Sequence, residues 1–474
     1  MLRHNVRKSV RRLPFISENI ALLRQGYIFL CNKKWRSPFY YKPLSMKLTG
    51  PILLLLCVLQ VAARQQMGNP RYDFPDSIVA KNGKERGYLN ANLNGLSISG
   101  HYRESWQYED SLSGPPPVVR LSMAGKEVVD ARKLILEKAS DYRILLINEG
   151  HAHPEHRLFT KSLLSALYKQ GYRIFMAEDI GENNTIMTRQ YPVSTDGVLV
   201  NEPAYASLIR YALKTGYKVA AYDFLQVTKK SYWDDSVKLD RNGSMKFISY
   251  VPRDSLTIML NEKGEVTMTY LTSVREKSQA DNINKVLNSN PGAKAIIHVG
   301  HGHLYESGSW MGAQLRALLN QEDILTIDQQ STNIKVPIID TLTHDTIRMD
   351  FAWLLWMKDK QRFFNTGLSG GGDYTVINAA IKDALGRPGF LFQDPEPRQV
   401  YNIPATQLKD CPCLFSAYYA DEYSKSGADA IAVDIVYSKS ENNAPPLLLY
   451  KGKYQLIKKN RQGGYTRSNL DIHR

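Results

Sequence analysis

Between residues 140 and 330 short apolar runs alternate with amphipathic stretches of helical period, and this alternation narrows the possible folds more than any other feature of the chain. "RILLIN" (143–148), "YRIFMAED" (172–179), "YKVAAYDF" (217–224), "AKAIIHVG" (293–300) and "ILTIDQ" (324–329) read as short buried strands. Between them lie "PEHRLFTKSLLSALYKQG", "YASLIRYALKTG", "TSVREKSQADNINKVLNS" and "SWMGAQLRALLNQE", which read as helices. Pro154 suits a first helical turn, Leu163 and Leu167 share a face, and Gly171, Gly216 and the Pro291–Gly292 pair stop helices. The pattern predicts an α/β fold: a mostly parallel central sheet flanked by helices.

The flanking regions are less periodic. Residues 64–124 are polar and turn-rich and read as an irregular segment, "SGPPPVV" marks a boundary, and a helix is expected over about 125–139. The α/β domain then runs over 125–474. "RNGS" and "NEKGE" read as hairpin turns inside a β-rich insertion at about 225–270. Residues 331–474 are mixed, with further strands in "GADAIAVDIVY" and "PLLLYKGKYQLI", the latter read as the end of the fold.

A net charge of +15 suggests a nucleic-acid partner until it is located. Residues 1–45 hold ten Lys and Arg against Glu18 alone, and Lys47 follows, which leaves +5 for residues 64–474. That remainder has no basic stripe, so no nucleic acid is expected. "MKLTGPILLLLCVLQVAARQQ", from Met46, has the short positive start, apolar core and small residues of a secretory signal peptide cleaved after Ala63. The apolar run is shorter than the roughly 20 residues a membrane span needs. Leu56 before Cys57 does not fit a lipoprotein signal. The reading is therefore an exported protein of the periplasm or extracellular space. Its contact with a membrane is limited to the signal segment if that is left uncleaved, and residues 1–45 are a basic extension with a mis-assigned start. Beyond the signal only Cys411 and Cys413 remain, in "DCPCLF", read as a free or loosely paired surface motif.

Chemistry concentrates at two places. Of ten histidines, six lie in "INEGHAHPEHRLF" (147–159) and "IIHVGHGHLYE" (296–306): His151, His153, His156, His298, His301 and His303. Each expected strand ends in ionisable residues: Glu149 and His151, Glu178 and Asp179, Asp223, then the second histidine group. Ligands of parallel α/β sheets sit beyond the carboxyl ends of the strands, and right-handed crossovers put those ends on one edge. The two histidine segments are thus expected to form one site. Histidines with a carboxylate can bind a divalent ion such as Zn or Mn, through His151, His153, Glu178, His301 and His303, and activate water. Alternatively His151 or His301 is a general base without metal. Singly, Glu178 and Asp223 are as well explained as helix caps, Asp179 as a cap, and His298 as a hydrogen-bonded core histidine. No G-x-S-x-G, H-E-x-x-H or G-x-x-x-x-G-K motif is present.

These segments resemble a known family. "INEGHAHPEHRLF" is similar to the G-E-x-H motif that opens the erythromycin esterase and ChaN-like (haem-uptake) superfamily, to which the TIKI/TraB proteases are distantly related. The resemblance continues through "GYRIFMAED", with Glu178 ending the second strand, and "REKSQADNI", with Arg275, Glu276, Ala280 and Asn282. It ends at "HVGHGHLYE" and covers about 140–310. Asn148 stands where the family has glycine. Both histidine motifs also read as G-x-x-H, so His151 with His301 and His153 with His303 are alternative working pairs. The resemblance implies an esterase- or metalloprotease-like hydrolase acting on a small-molecule or peptide substrate. Glu149 and His151 would activate water, Glu178 and His301 or His303 would complete the site, and Arg275 would stabilise the oxyanion. The rival it implies is a haem- or metal-binding cell-envelope protein without turnover.

Overall fold

The computed structural model describes residues 72–82, 89–113, 118–181, 184–223, 272–319, 323–329, 338–358, 372–379 and 382–473, with short strands between 237 and 270 and at 362–363. The basic extension and the signal segment lie outside the described residues. Among those residues, no helix is long and apolar enough to cross a membrane.

The stretch read as irregular contains three helices, α1 (Pro75–Asn82), α2 (Leu89–Ile98) and α3 (Tyr102–Ser113). They bury polar side chains as well as apolar ones, for example Asn92, which donates to Tyr108 at 2.8 Å. Their sequences therefore carry little hydrophobic periodicity. Strand β1 (Val119–Leu121) follows, and the helix expected over 125–139 divides into β2 (Lys126–Asp130) and α4 (Ala131–Lys138). β-Branched Val128 and Val129 favour the strand, and Asp130 caps the helix by accepting from the Lys133 amide.

The alternation then runs as predicted: β3 (Ile144–Glu149), α5 (Pro154–Lys169), β4 (Tyr172–Ala177), α6 (Pro203–Thr215) and β5 (Lys218–Ala220). The insertion forms two hairpins around the expected turns, β6 (Val237–Leu239) with β7 (Met245–Phe247), and β8 (Thr257–Leu260) with β9 (Val266–Tyr270). After it come α7 (Thr272–Asn288), β10 (Lys294–Gly300), α8 (Met311–Leu318) and β11 (Ile324–Asp328). Strands β12 (Ile338–Asp340) to β15 (Arg362–Phe363) are short, and β16 (Tyr374–Thr375) completes a six-stranded, all-parallel sheet in the order β16-β11-β3-β10-β4-β5.

Burial on both faces explains the unbroken apolar runs. Leu145, Ile147 and Phe175 pack under α5 and α6 with Leu163, Leu167, Leu208 and Ile209. Their neighbours Ile144, Leu146 and Met176 face the other way, against Ile283 and Leu287 of α7 and Leu315 of α8. Each strand thus splits its residues between two cores at a period of two.

The C-terminal part is antiparallel. Strands β17 (Gln399–Tyr401) and β20 (Leu447–Leu449) pair with each other, and β18 (Cys413–Tyr419), β19 (Asp434–Ser438), β21 (Gly452–Asn460) and β22 (Tyr465–Ile472) give a four-stranded sheet ordered β19-β18-β21-β22. "PLLLYKGKYQLI" is therefore not the end of the fold: it spans β20 and the start of β21, and β22 pairs with β21 along its length. Cys411 and Cys413 are joined by a disulfide, and Cys413 is buried at the start of β18 rather than lying free on the surface. A buried ionic knot joins this region to the parallel sheet. Lys161 of α5, fully buried, donates to Asp394 at 2.7 Å, to Ser207 of α6 at 2.9 Å and to Tyr450 at 2.9 Å. Arg398 holds the other oxygen of Asp394 at 2.9 Å.

Candidate active site

Strand order brings the histidine segments together. β10 lies between β3 and β4, and Gly300 is directly opposite Glu149. The Glu178 amide donates to the His298 carbonyl at 3.0 Å, one step past the end of β4. Glu149, Glu178 and the residues after Gly300 thus form a row on the carboxyl edge of the sheet. The rings of His151 and His301 meet edge to face with centroids 4.6 Å apart. Gly300 is glycine because of what covers it: a Cβ there would lie 2.2 Å from His151 Cε1 and 2.6 Å from Glu178 Oε2.

Glu149 is buried and surrounded by donors. Arg157 of α5 approaches it side-on, Nε to Oε2 at 2.6 Å and Nη2 to Oε1 at 2.8 Å. His298 Nε2 lies 2.8 Å from Oε2 and His151 Nδ1 3.1 Å from Oε1. Burial alone would raise the Glu149 pKa, but Arg157 and the two imidazoles outweigh it and hold the carboxyl well below its ordinary value. With both oxygens engaged, Glu149 is an orienting anion and not a proton acceptor. The bond fixes the His151 tautomer: Nδ1 donates, and Nε2 keeps a lone pair with no hydrogen-bond partner among the described residues. The His301 ring packs against it, and the loss of water around that ring together with the neighbouring His151 lowers its pKa to about 4, so it is neutral at pH 7.

Glu178 neighbours this pair and is held from behind. Its Oε1 accepts from Arg275 Nη2 at 2.7 Å, and its Oε2 accepts from the Gly300 amide. Burial opposes the charge, but His303 and Arg275 prevail and keep Glu178 ionised. Arg275 also reaches Asp223 at 3.1 Å, so Glu178 and Asp223 act as ion-pair partners rather than as helix caps. His303 Nδ1 lies 2.8 Å from Glu276, and its Nε2 lies 2.9 Å from Arg275 Nη1 and 3.2 Å from Glu178. The two carboxylates raise the His303 pKa, against burial, to about 10, whereas an Arg275 N–H at 2.9 Å calls for a lone pair on Nε2. Two carboxylates outweigh one guanidinium, so the ring carries the proton that helps hold Glu178 ionised. Both terminal nitrogens of Arg275 are occupied in this way, which makes it a brace for Glu178 and His303 more than an open oxyanion donor. Two non-glycine residues at the strand ends adopt positive φ, Asp179 at 67° and His301 at 40°, a strained backbone that active sites often retain. Asp179 accepts from the Leu199 amide, a contact between loops distant in sequence rather than a cap of its own helix, and burial beside Asp223 and Glu178 pushes its pKa up to about 7.

His153 departs from the set of ligands expected from the sequence. It turns away from His303 to lie 2.9 Å from Glu155 and to stack on His156. Among the described residues, His153, Glu155 and His156 are the group whose donor atoms lie within 4.8 Å of one another. The fit to a metal fails on the lone pairs. His156 Nδ1 accepts from the Gly150 amide at 3.0 Å, which puts the proton of its neutral ring on Nε2. Burial works against a charged His153, but Glu155 and Glu109 raise its pKa to about 10, and Glu155 is lowered in turn. This ion pair is fully formed above the ordinary Glu value of 4.5 and below the ordinary His value of 6.5. The melting-temperature gap between the protein and His153→Asn should therefore be widest at pH 5–6 and close as pH rises through about 10. A gap that is flat from pH 6 to 10.5 would refute the pairing.

At the main site a metal finds few open donors. Glu178 and His303 are engaged, and His151 Nε2 and the His301 ring remain. A bis-histidine haem fits worse, because its imidazoles point at each other across the iron with the macrocycle between them. Rings packed edge to face at 4.6 Å leave no such space. The sequence reading missed Arg157, which also binds Glu202, the N-cap of α6, at 2.7 Å. Its signal was present: Arg157, Lys161 and Leu164 recur at helical spacing on one face, so two cations sit on an apolar stripe.

No family model matches the sequence, and no curated protein matches it. A solved structure described as "The structure of the type III effector HopBA1" is similar over 42% of this chain and 83% of that one, at 13% identity. Its TM-score is 0.25, and a likeness that slight carries no argument here.

Proposed function

We propose that the protein is an exported hydrolase that cleaves an ester or amide with a water activated by His151, as the resemblance to the erythromycin esterase and ChaN-like superfamily implies. The observation that carries this reading is the asymmetry of the His151 ring: Nδ1 is bound to a saturated Glu149, and Nε2 is left as a free base. His151 Nε2 takes a proton as the water oxygen attacks the carbonyl carbon, Glu149 stabilises the imidazolium, and the proton passes to the leaving oxygen or nitrogen. Neutral His301 offers an N–H to the carbonyl oxygen, and Glu178 orients the water. Export through residues 46–63 belongs to the same proposal, and a mature N-terminus near Arg64 is its mark.

The test is a panel of esters and peptides, assayed with and without added Zn or Mn. Turnover is expected without added metal and should fall about 10²- to 10⁴-fold in His151→Gln, the range of general-base assistance. Glu149→Gln should lose less in substrate affinity than in rate, since the orienting charge is what disappears. Turnover that requires Zn or Mn would replace this mechanism with a metal-assisted one. Stoichiometric haem or metal without any turnover would replace the enzyme with a binding protein.

A further inference from the structure

The four-stranded C-terminal sheet has two edges that are finished differently. At β19 the edge is covered by side chains. Arg387 donates to the Ile435 carbonyl at 3.2 Å and to Asp434, and Asp434 accepts the Leu448 amide of β20 at 2.7 Å. At the other edge β22 pairs its eight residues, Tyr465–Ile472, with β21 without a break. Among the described residues no strand adjoins its outer side. An exposed edge is ordinarily kept from pairing by Pro, Lys or a bulge, and β22 has none of these. Its two faces differ. Leu470 and Ile472 turn into the core of Phe415, Tyr454 and Leu456, while Tyr465, Arg467, Asn469 and Asp471 are exposed. Arg467 is steadied on that exposed face by the Tyr423 ring, 5.6 Å from its guanidinium.

A strand added to this edge must keep like faces together, because a slip of one residue would turn its apolar side to water. β22 of a second copy, antiparallel under two-fold symmetry, can do this. Centred on Asn469, the pairing sets Arg467 opposite Asp471 of the second copy, and the reverse. Each carboxylate then lies between two cations, since Lys453 of β21 is already opposite Asp471 on the inner side. Neighbouring registers lose the match. Centred on Ser468 or Leu470, Arg467 meets Asn469 or His473. Centred on Arg467 or Asp471, like charges meet directly, which is unfavourable. We propose that two copies of this chain join through β22, antiparallel and centred on Asn469, into one continuous sheet. Backbone hydrogen bonds between the strands supply the attraction, and the two Arg467–Asp471 pairs choose the partner and the register. The occupant is a second copy and not a foreign strand because the charge pattern of β22 complements itself.

Sedimentation of the purified protein across micromolar concentrations should show a reversible dimer. Asn469→Cys should cross-link to its own counterpart under mild oxidation. Opposed Cα atoms in an antiparallel pair lie about 4.5–5.5 Å apart, within disulfide reach. Tyr465→Cys, on the same strand and face, should stay uncross-linked, since its counterpart lies at the far end of the pair. Arg467→Glu and Asp471→Arg should each weaken the dimer about tenfold or more by setting like charges opposite one another. The double variant reverses the pair and should recover the dimer, which separates lost pairing from lost folding. A monomer at every concentration, a dimer indifferent to both charge changes, no recovery in the double variant, or equal cross-linking at positions 465 and 469 would each overturn the interface.

Discussion

Arg157→Met is expected to destabilise the protein by about 3–5 kcal/mol, the usual cost of leaving a buried charge without its partner. The guanidinium is fully buried and serves two carboxylates at once, Glu149 at 2.6 Å and Glu202 at 2.7 Å. Methionine fills much of the volume but leaves both anions in a dry interior, and water cannot reach them without opening α5. The urea midpoint should therefore drop sharply. Adding Glu149→Gln to the variant should recover part of the loss, because one uncompensated charge is gone. The coupling has a sign that pH can check. Arg157 holds the Glu149 pKa far below its ordinary value, so this part of the stability is present above pH 4.5 and fades as acid protonates the carboxyl. The variant and the protein should accordingly converge at low pH. Costs that simply add in the double variant would show that Arg157 and Glu149 do not act as a pair.

Gly300→Ala should remove activity while leaving the fold. The new methyl would sit 2.2 Å from His151 Cε1 and 2.6 Å from Glu178 Oε2, closer than any real contact, so the ring and the carboxylate must move apart. Misplacing a catalytic group by about 1 Å costs on the order of 10²-fold in rate, and overpacking costs about 1–3 kcal/mol. Gly302→Ala is the control two residues on. Its nearest atoms are at 3.0 Å on Tyr305 and 3.2 Å on Trp310, half-buried rings with room to shift. Turnover should survive there. Equal effects at both glycines would mean that crowding of His151 is not what governs the rate.

The parallel sheet was legible because its strands are apolar on both faces and its helices are not. The prediction that both histidine segments share one site followed from the rule that ligands gather at strand carboxyl ends. What the sequence did not contain was the strand order. Only the placement of β10 between β3 and β4 sets Gly300 opposite Glu149, and nothing local to either segment encodes that neighbour. The choice between His151 and His153 was equally hidden. It depends on a turn of two residues that sends one ring over Gly300 and the other toward Glu155. Arg275 was found, but its burial between Glu178, Asp223 and His303 was not, so its expected role as an oxyanion donor gives way to a brace. The three N-terminal helices were missed because they bury asparagine and serine among apolar residues, which erases the period that reveals a helix.

The Lys161 knot bears on how this chain may be divided. A gene trimmed after β16 would still encode the whole parallel sheet and every residue of the candidate active site. It would also strand an ammonium group inside α5, because Asp394 and Tyr450 would be gone and Ser207 alone cannot balance a charge. Burial already lowers the Lys161 pKa to about 8 with its anion in place. In the fragment the amine would have to shed its proton or drag water into the interior, on the same helix that carries Arg157. The sheet and the C-terminal strands are thus not separable modules, and a fragment that ends after β16 would keep the candidate site but not the charge balance of the helix beneath it.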